Sequence, residues 1–167
     1  RQGDIEALPL TSNIVDVVVS NCVLNLVPDK KKAFSEVLRV LKPGGHFSIS
    51  DVVLKGELPG NLAKAAEMYA GCVSGALQES DYLGIIHGLG FEQVTVQKRK
   101  QIMVPDDILA NYLSAEELAA FKASGTGIFS ITVSATKPGA IGATPGQAKD
   151  NKEELKAACC GSGSNCC

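Results

Sequence analysis

The stretch Asn13-Ile14-Val15-Asp16-Val17-Val18-Val19-Ser20-Asn21 constrains this chain more than any other. Its middle is a near-continuous β-branched run. Side chains alternate between the two faces of a strand, so an unbroken apolar run predicts burial on both faces, as in a parallel sheet. A strand of that type needs neighbours at both edges and cover on both sides.

The segments that follow alternate in kind. Pro28-Asp29 predicts a helix start, and Ala33, Phe34, Val37, Leu38 and Leu41 recur at helical spacing. Lys42-Pro43-Gly44-Gly45 predicts its end, with glycine supplying positive φ. Residues 46–54 read as a second strand. Pro59-Gly60-Asn61 punctuates the chain, and a helix is predicted over about 62–73. Ser80 is the expected N-cap of a helix ending near Gly90. Residues 91–98 read as a strand in which Val94 and Val96 alternate with polar neighbours. Ser114-Ala115-Glu116-Glu117 fits a capping box. Residues 128–136 form a last strand with Phe129, Ile131, Val133 and Ala135 on one face. This alternation predicts an α/β fold with a parallel sheet in its first half and flanking helices. The last two strands are free to pair as an antiparallel edge. Only four strands are evident, too few to enclose the first, so further strands are expected upstream. The opening Arg1-Gln2-Gly3-Asp4 has neither an initiator Met nor an apolar leader, which also points to a fragment.

Composition narrows the function classes. A hydrophobic content of 45% is enough for a core. Net charge is −2, and no basic block marks a nucleic-acid partner. No apolar stretch reaches the roughly 20 residues of a membrane span. From Lys137 onward Gly, Pro, Ala and charge dominate. The expected organisation is therefore a folded unit over 1–137 and a flexible Cys-rich tail over 138–167. Cys22 and Cys72 stand alone, while Cys159-Cys160 and Cys166-Cys167 are vicinal pairs in the tail. Long periodic segments without an export signal argue against a secreted disulfide scaffold. A cytoplasmic, reducing setting is expected, and a monomer.

Most polar candidates read as structural. There is no G-x-G-x-x-G after a strand; Gly44-Gly45 lies in a turn, and Gly84 to Gly90 at a helix end. His46 and His87 are expected at the surface. Lys30-Lys31-Lys32 reads as the solvated first turn of a helix. Asp51, inside a strand, is a minor candidate to face a pocket, and Glu67 and Tyr69 carry no specific signal. The thiols are the stronger lead, because thiolate sulfur is a soft ligand.

Three segments taken together carry a resemblance. They are Gly3-Asp4-Ile5-Glu6-Ala7-Leu8-Pro9-Leu10, the β-branched run itself, and Leu38-Arg39-Val40-Leu41-Lys42-Pro43-Gly44-Gly45. The set resembles the second half of class I S-adenosylmethionine-dependent methyltransferases, over roughly residues 1–105. That resemblance implies a partial Rossmann-like sheet whose first motif, a strand and glycine loop, is absent. It implies cofactor contacts from Asp4 and Ile5 on the adenine side, and from Ser20 and Asn21 near the methionine part. Two more segments, Ser20-Asn21-Cys22-Val23-Leu24-Asn25-Leu26 and Ala70-Gly71-Cys72-Val73-Ser74-Gly75-Ala76-Leu77, resemble the arsenite methyltransferases. In that family the cysteines at these places bind trivalent arsenic, so the resemblance assigns Cys22 and Cys72 as arsenic ligands and catalytic residues. It implies S-adenosylmethionine as cofactor, a thiol reductant as co-substrate, and arsenite or its thiol conjugates as partner.

Two other readings stay open at this stage. The frame also resembles the ubiquinone/menaquinone-biosynthesis methyltransferases, which act on small organic acceptors and need no thiols at these positions. Alternatively, the chain is a non-enzymatic arsenic- or metal-binding module in which Cys159, Cys160, Cys166 and Cys167 capture a soft ion. Those four thiols could equally deliver reducing equivalents by exchange, or be incidental.

Overall fold

The computed structural model describes residues 2–58, 73 and 75–139. The helix expected from residue 62, with Glu67, Tyr69 and Cys72, lies outside them, as do the tail cysteines Cys159, Cys160, Cys166 and Cys167.

Strand β1 (Val15–Asn21) pairs in parallel with β2 (Leu41–Lys55). The other edge of β2 pairs antiparallel with β4 (Gly127–Thr136), which pairs antiparallel with β3 (Glu92–Ile102). The sheet order is thus β1-β2-β4-β3. Four helices accompany it among the described residues: α1 (Lys30–Val40), α2 (Glu79–Gly88), the short α3 (Asp106–Leu109) and α4 (Ala115–Ser124). A single 3-10 turn, Leu24–Leu26, follows β1. The α/β sheet with flanking helices and the antiparallel pairing of the last two strands agree with expectation.

Register sorts the side chains onto two faces. Ile49 lies opposite Val133, Asp51 opposite Ile131, and Val53 opposite Phe129. This first face meets α1 and α2, with Phe34, Val37, Tyr82 and Ile86 packed against it. Phe34 and Phe47 stand 5.7 Å apart by ring centroids, and Phe91 meets Phe47 edge-on at 4.9 Å. On the second face Ser48 lies opposite Ser134, Ser50 opposite Thr132, Val52 opposite Ser130 and Leu54 opposite Ile128. The Ser50 and Thr132 hydroxyls share a hydrogen bond of 2.8 Å.

Local signals account for the helix ends. The Asp29 carboxylate accepts from the Lys32 N–H at 2.9 Å, capping α1. At the far end of α1 the Lys137 ammonium donates to the Leu38 and Leu41 carbonyls, a cation at the negative helix terminus. The capping box on α4 is complete: the Glu117 N–H donates to Ser114 Oγ, and the Ser114 N–H to Glu117 Oε2.

Several expectations are corrected. β1 is not buried on both faces: it is an edge strand among the described residues, with Val17 44% and Val19 75% exposed. β2 begins at Leu41, because Val15 pairs there before the register shifts around the 42–45 turn, in which Gly44 takes φ +79°. β3 runs on to Ile102, past the end expected for it. Its Gln-Lys-Arg-Lys-Gln segment is polar because it lies on the outer edge, where charge discourages further pairing. The cap of α2 is Gln78, not Ser80, which falls inside the first turn. Lys30 is not solvated like the two lysines after it. It is buried, and its ammonium donates to the Val27 carbonyl at 3.2 Å.

Candidate functional site

β1 and β2 run parallel, so both end on the same side of the sheet. Ligands of open α/β sheets gather at that carboxyl end. Cys22 is the first residue past β1 and takes a left-handed backbone, φ +54°. Such a conformation costs a non-glycine residue about 1–2 kcal/mol, and the surrounding bonds hold it. The Cys22 N–H donates to the Ser50 carbonyl at 2.8 Å. Two residues further along β2, the Val52 carbonyl accepts from the Asn25 side-chain amide at 2.8 Å. Two residues beyond that, the Leu54 N–H donates to the Leu77 carbonyl at 2.9 Å. Ser50, Val52 and Leu54 alternate, so all three bonds use the edge of β2 that faces β1. That edge seats β1, then the Asn25 turn, then the chain arriving before α2.

Cys22 itself is half-buried on the second face. It packs against a small apolar cluster of Val52, Val73 and Ile128. Val73 is the chain neighbour of Cys72, so the structure brings the residue beside Cys72 into the cluster that supports Cys22. Cys72 itself lies outside the described residues.

Of the expected cofactor residues, Ser20 and Asn21 end β1, while Asp4 and Ile5 lie in the segment before it. Ser20 is in register with Ile49 and Asn21 with Ser50, so their side chains fall on opposite faces. The Ser20 hydroxyl is buried and has no hydrogen-bond partner among the described residues. Asn21 is exposed. The exposed Asp4 closes a short turn in which its Oδ1 accepts from the Glu6 N–H at 2.8 Å. Ile5 is half-buried against the main core. His46 and His87 are exposed, as expected.

One charged group was undervalued by sequence reasoning. Asp51 is fully buried on the first face, where the Tyr82 hydroxyl donates to its Oδ2 at 3.0 Å. Its Oδ1 has no hydrogen-bond partner among the described residues. Burial pushes the Asp51 carboxyl up to about 6, while the Tyr82 hydroxyl, the Asn25 backbone N–H and the Lys30 ammonium oppose the rise. Burial likewise lowers the Lys30 ammonium, with Asp51 opposing, and burial holds the Tyr82 proton in place. The signal was present: Asp51 alternates with Ile49 and Val53, which marks an inward position.

A separate, mostly apolar cavity of about 260 Å³ lies between β3, β4 and α4, lined by Leu58, Ile102, Val104, Phe121 and Ile128 among others. It adjoins the Cys22 cluster through Ile128 and Val104. Among the described residues no group of three or more His, Cys, Asp or Glu side chains is placed to hold a metal. Nor is any helix long and apolar enough to cross a membrane.

Residues 1–103 match the family model described as "Methyltransferase domain". The arsenite methyltransferase of Halobacterium salinarum is 36% identical over 138 residues, covering 83% of this chain and 33% of the relative. That of Mus musculus is 41% identical over 92 residues, covering 53% of this chain and 24% of the relative. Among solved structures, the arsenic(III) S-adenosylmethionine methyltransferase of Chlamydomonas reinhardtii superposes with TM-score 0.66 at 31% identity, covering 82% of this chain and 43% of that one. The YcgJ protein of Bacillus subtilis superposes at 0.63 with 17% identity, over 84% of this chain and 71% of that one, a likeness of fold alone. The chain spans about a third of the length of the curated relatives it matches.

Proposed function

From the premise that this chain belongs to the methyltransferase-domain family, we propose that its protein transfers a methyl group from S-adenosylmethionine to thiol-bound trivalent arsenic. The observation that carries this reading is Cys22, half-buried at the carboxyl end of β1 and packed in one cluster with the chain neighbour of Cys72. The relatives named arsenite methyltransferase support it.

Arsenic(III) is soft and prefers thiolate sulfur. Bound by Cys22 and Cys72, it keeps a lone pair that can attack a methyl carbon in line. No proton has to leave the nucleophile, so the residues need supply no general base. Their task is positioning, and the cluster of Val52, Val73 and Ile128 contributes a dry wall beside the Cys22 thiol.

The residues at the tip of β1 fit the cofactor. A buried hydroxyl without a partner, on Ser20, is a polar group awaiting one. Asp4, Ile5 and Asn21 add an exposed carboxylate, an apolar surface and an exposed amide. These four would hold S-adenosylmethionine, which when bound supplies a methyl group on positively charged sulfur. Methyl transfer uses the arsenic lone pair and raises arsenic by two oxidation units. A thiol reductant must therefore return two electrons before another cycle, and we assign it as co-substrate. Its two thiols leave as a disulfide. Cys159, Cys160, Cys166 and Cys167 are candidates to take part in that exchange or to capture arsenic. We expect the protein to act as a cytoplasmic monomer.

The test is arsenite methylation by the protein at its full natural length, followed with labelled methyl groups. Cys22→Ser is expected to lower the rate by about 100-fold or more, with cofactor affinity unchanged. Full activity in the double variant Cys22→Ser/Cys72→Ser would remove arsenic from the reading.

A further inference from the structure

Residues 3–14 belong to no helix or strand, and none of them is buried. Core packing therefore does not hold this segment, and polar contacts must. It is first closed on itself. The Ala7 N–H donates to the Asp4 carbonyl at 3.1 Å, and a Cβ on Gly3 would lie 2.6 Å from Pro9 Cγ. The turn from Gly3 to Pro9 thus moves as one piece, and α1 grips the leg that leaves it.

Arg39 makes that grip. A guanidinium carries five N–H donors in one rigid plane, and Arg39 uses every one. Its Nε and Nη2 donate to the two oxygens of Glu36, each at 2.7 Å. Nη2 also donates to the Leu8 carbonyl at 3.1 Å. Nη1 donates to the Leu10 carbonyl at 2.8 Å and to Ser12 Oγ at 3.4 Å. Glu36 Oε2 in turn accepts from the Leu8 N–H at 2.7 Å. Both main-chain groups of Leu8 are therefore held by one ion pair. The Arg39 hydrogen bond keeps the Glu36 carboxyl below its usual range, so the pair stays charged at neutral pH. Glu6 adds a contact from within the turn, accepting from the Asp29 N–H at 3.0 Å where α1 begins. An exposed ion pair by itself contributes little. This one differs in where its donors point: beyond Glu36, they all go to the segment.

We propose that Arg39 and Glu36 are positioning residues for S-adenosylmethionine: acting as one clamp, they fix the turn that carries Asp4 and Ile5, and so set the protein's affinity for the cofactor. This rests on the assignment of Asp4 and Ile5 to the adenine side. A turn already ordered in the free protein does not have to be ordered on binding, so the clamp is expressed as affinity. Lysine cannot replace the arginine, because its three donors radiate from a single atom and cannot span Glu36, Leu8 and Leu10 together.

The experiment uses the protein at its full natural length. Affinity for S-adenosylhomocysteine is measured by equilibrium dialysis, and amide hydrogen exchange over residues 4–10 by mass spectrometry. KM and kcat are measured with arsenite as acceptor. Arg39→Lys is expected to weaken S-adenosylhomocysteine binding about tenfold and to raise KM for S-adenosylmethionine by a similar factor, with kcat within about twofold. Exchange over residues 4–10 is expected to quicken about tenfold or more. Glu36→Gln keeps one acceptor oxygen and is expected to move the same readouts by a smaller factor. Lys42→Ala removes an exposed ion pair with Asp16 and is expected to change none of them. The proposal is overturned if folded Arg39→Lys binds S-adenosylhomocysteine within about twofold of the parent, whether or not exchange quickens. If Arg39→Lys does not fold, unchanged affinity in Glu36→Gln overturns it instead. Unchanged affinity in Asp4→Ala would defeat the adenine assignment, while exchange over residues 4–10 still judges the clamp. The dialysis needs no acceptor, so its outcome stands apart from the arsenic assignment.

Discussion

The two faces of the sheet are made of the same strands and behave differently. The first face carries Phe47, Ile49, Val53, Ile131 and Val133, all essentially inaccessible beneath α1 and α2. The second carries Ser48, Ser50, Thr132 and Ser134, all half-buried, and toward the edge the exposed Val17 and Val19. One face holds the fold together. The other, where Cys22 packs, is less densely covered by the described residues. Stability and the proposed chemistry are thus divided across a single layer of backbone, and a substitution reports which side it belongs to.

The division is tested most severely in the core. Phe47→Ala removes a ring that meets both Phe34 and Phe91, and is expected to cost about 3–5 kcal/mol of unfolding free energy in denaturant titration. Val19→Thr, on the same sheet but the other face, is expected to stay within about 0.5 kcal/mol. Equal losses would break the comparison.

Asp51 sharpens it, being the one fully buried acid on the first face among the described residues. Its folded-state pKa is raised to about 6 from an ordinary 3.8. A raised carboxyl means the folded state holds its proton more tightly than the unfolded chain. The resulting stabilisation is complete below about pH 4 and is lost as pH rises through 6. Asp51→Asn keeps an acceptor for the Tyr82 hydroxyl and cannot ionise. It should therefore gain on the parent by up to about 3 kcal/mol at pH 8, and by far less at pH 4. Thermal melting at the two pH values checks this; no pH dependence of the difference would mean that Lys30 and Tyr82 already compensate the charge. Smaller than either the Phe47 or the Asp51 effect, the loss in Ser50→Ala, which removes the hydroxyl pair with Thr132 on the second face, is expected to be about 1 kcal/mol by denaturant titration.

Much of the first face was legible in sequence because it follows from periodicity. Phe34 and Val37 repeat at helical spacing, Ile131 and Val133 at strand spacing, and all four are buried. The caps at Asp29 and Ser114 were legible because a side-chain oxygen and a free N–H must lie close in sequence. The exposure of β1 was not, since a β-branched run records what a strand is suited to, not which neighbours surround it. The buried Lys30 was hidden for a similar reason: its depth is set by Val27 and Asp51, which no local pattern links to it. Of the site, Cys22 was identified by likeness to a family. Its left-handed backbone and its bond to Ser50 come from the junction of two strands. The need for glycine at position 75 leaves no local mark, because its cause is the Asn25 carbonyl oxygen on a distant turn.

The bond from the Leu54 N–H to the Leu77 carbonyl has a consequence for how this protein can diversify. It closes the excursion between those residues at its base, so the ends stay fixed whatever lies between. Closure entropy for an unstructured connection grows only with the logarithm of its length, about 0.6 kcal/mol per doubling. Closure therefore sets only a weak limit on the number of residues between Leu54 and Leu77, while the two residues that make the bond stay fixed. Chains built on this pattern could vary in length between those two residues and keep the same sheet beneath them.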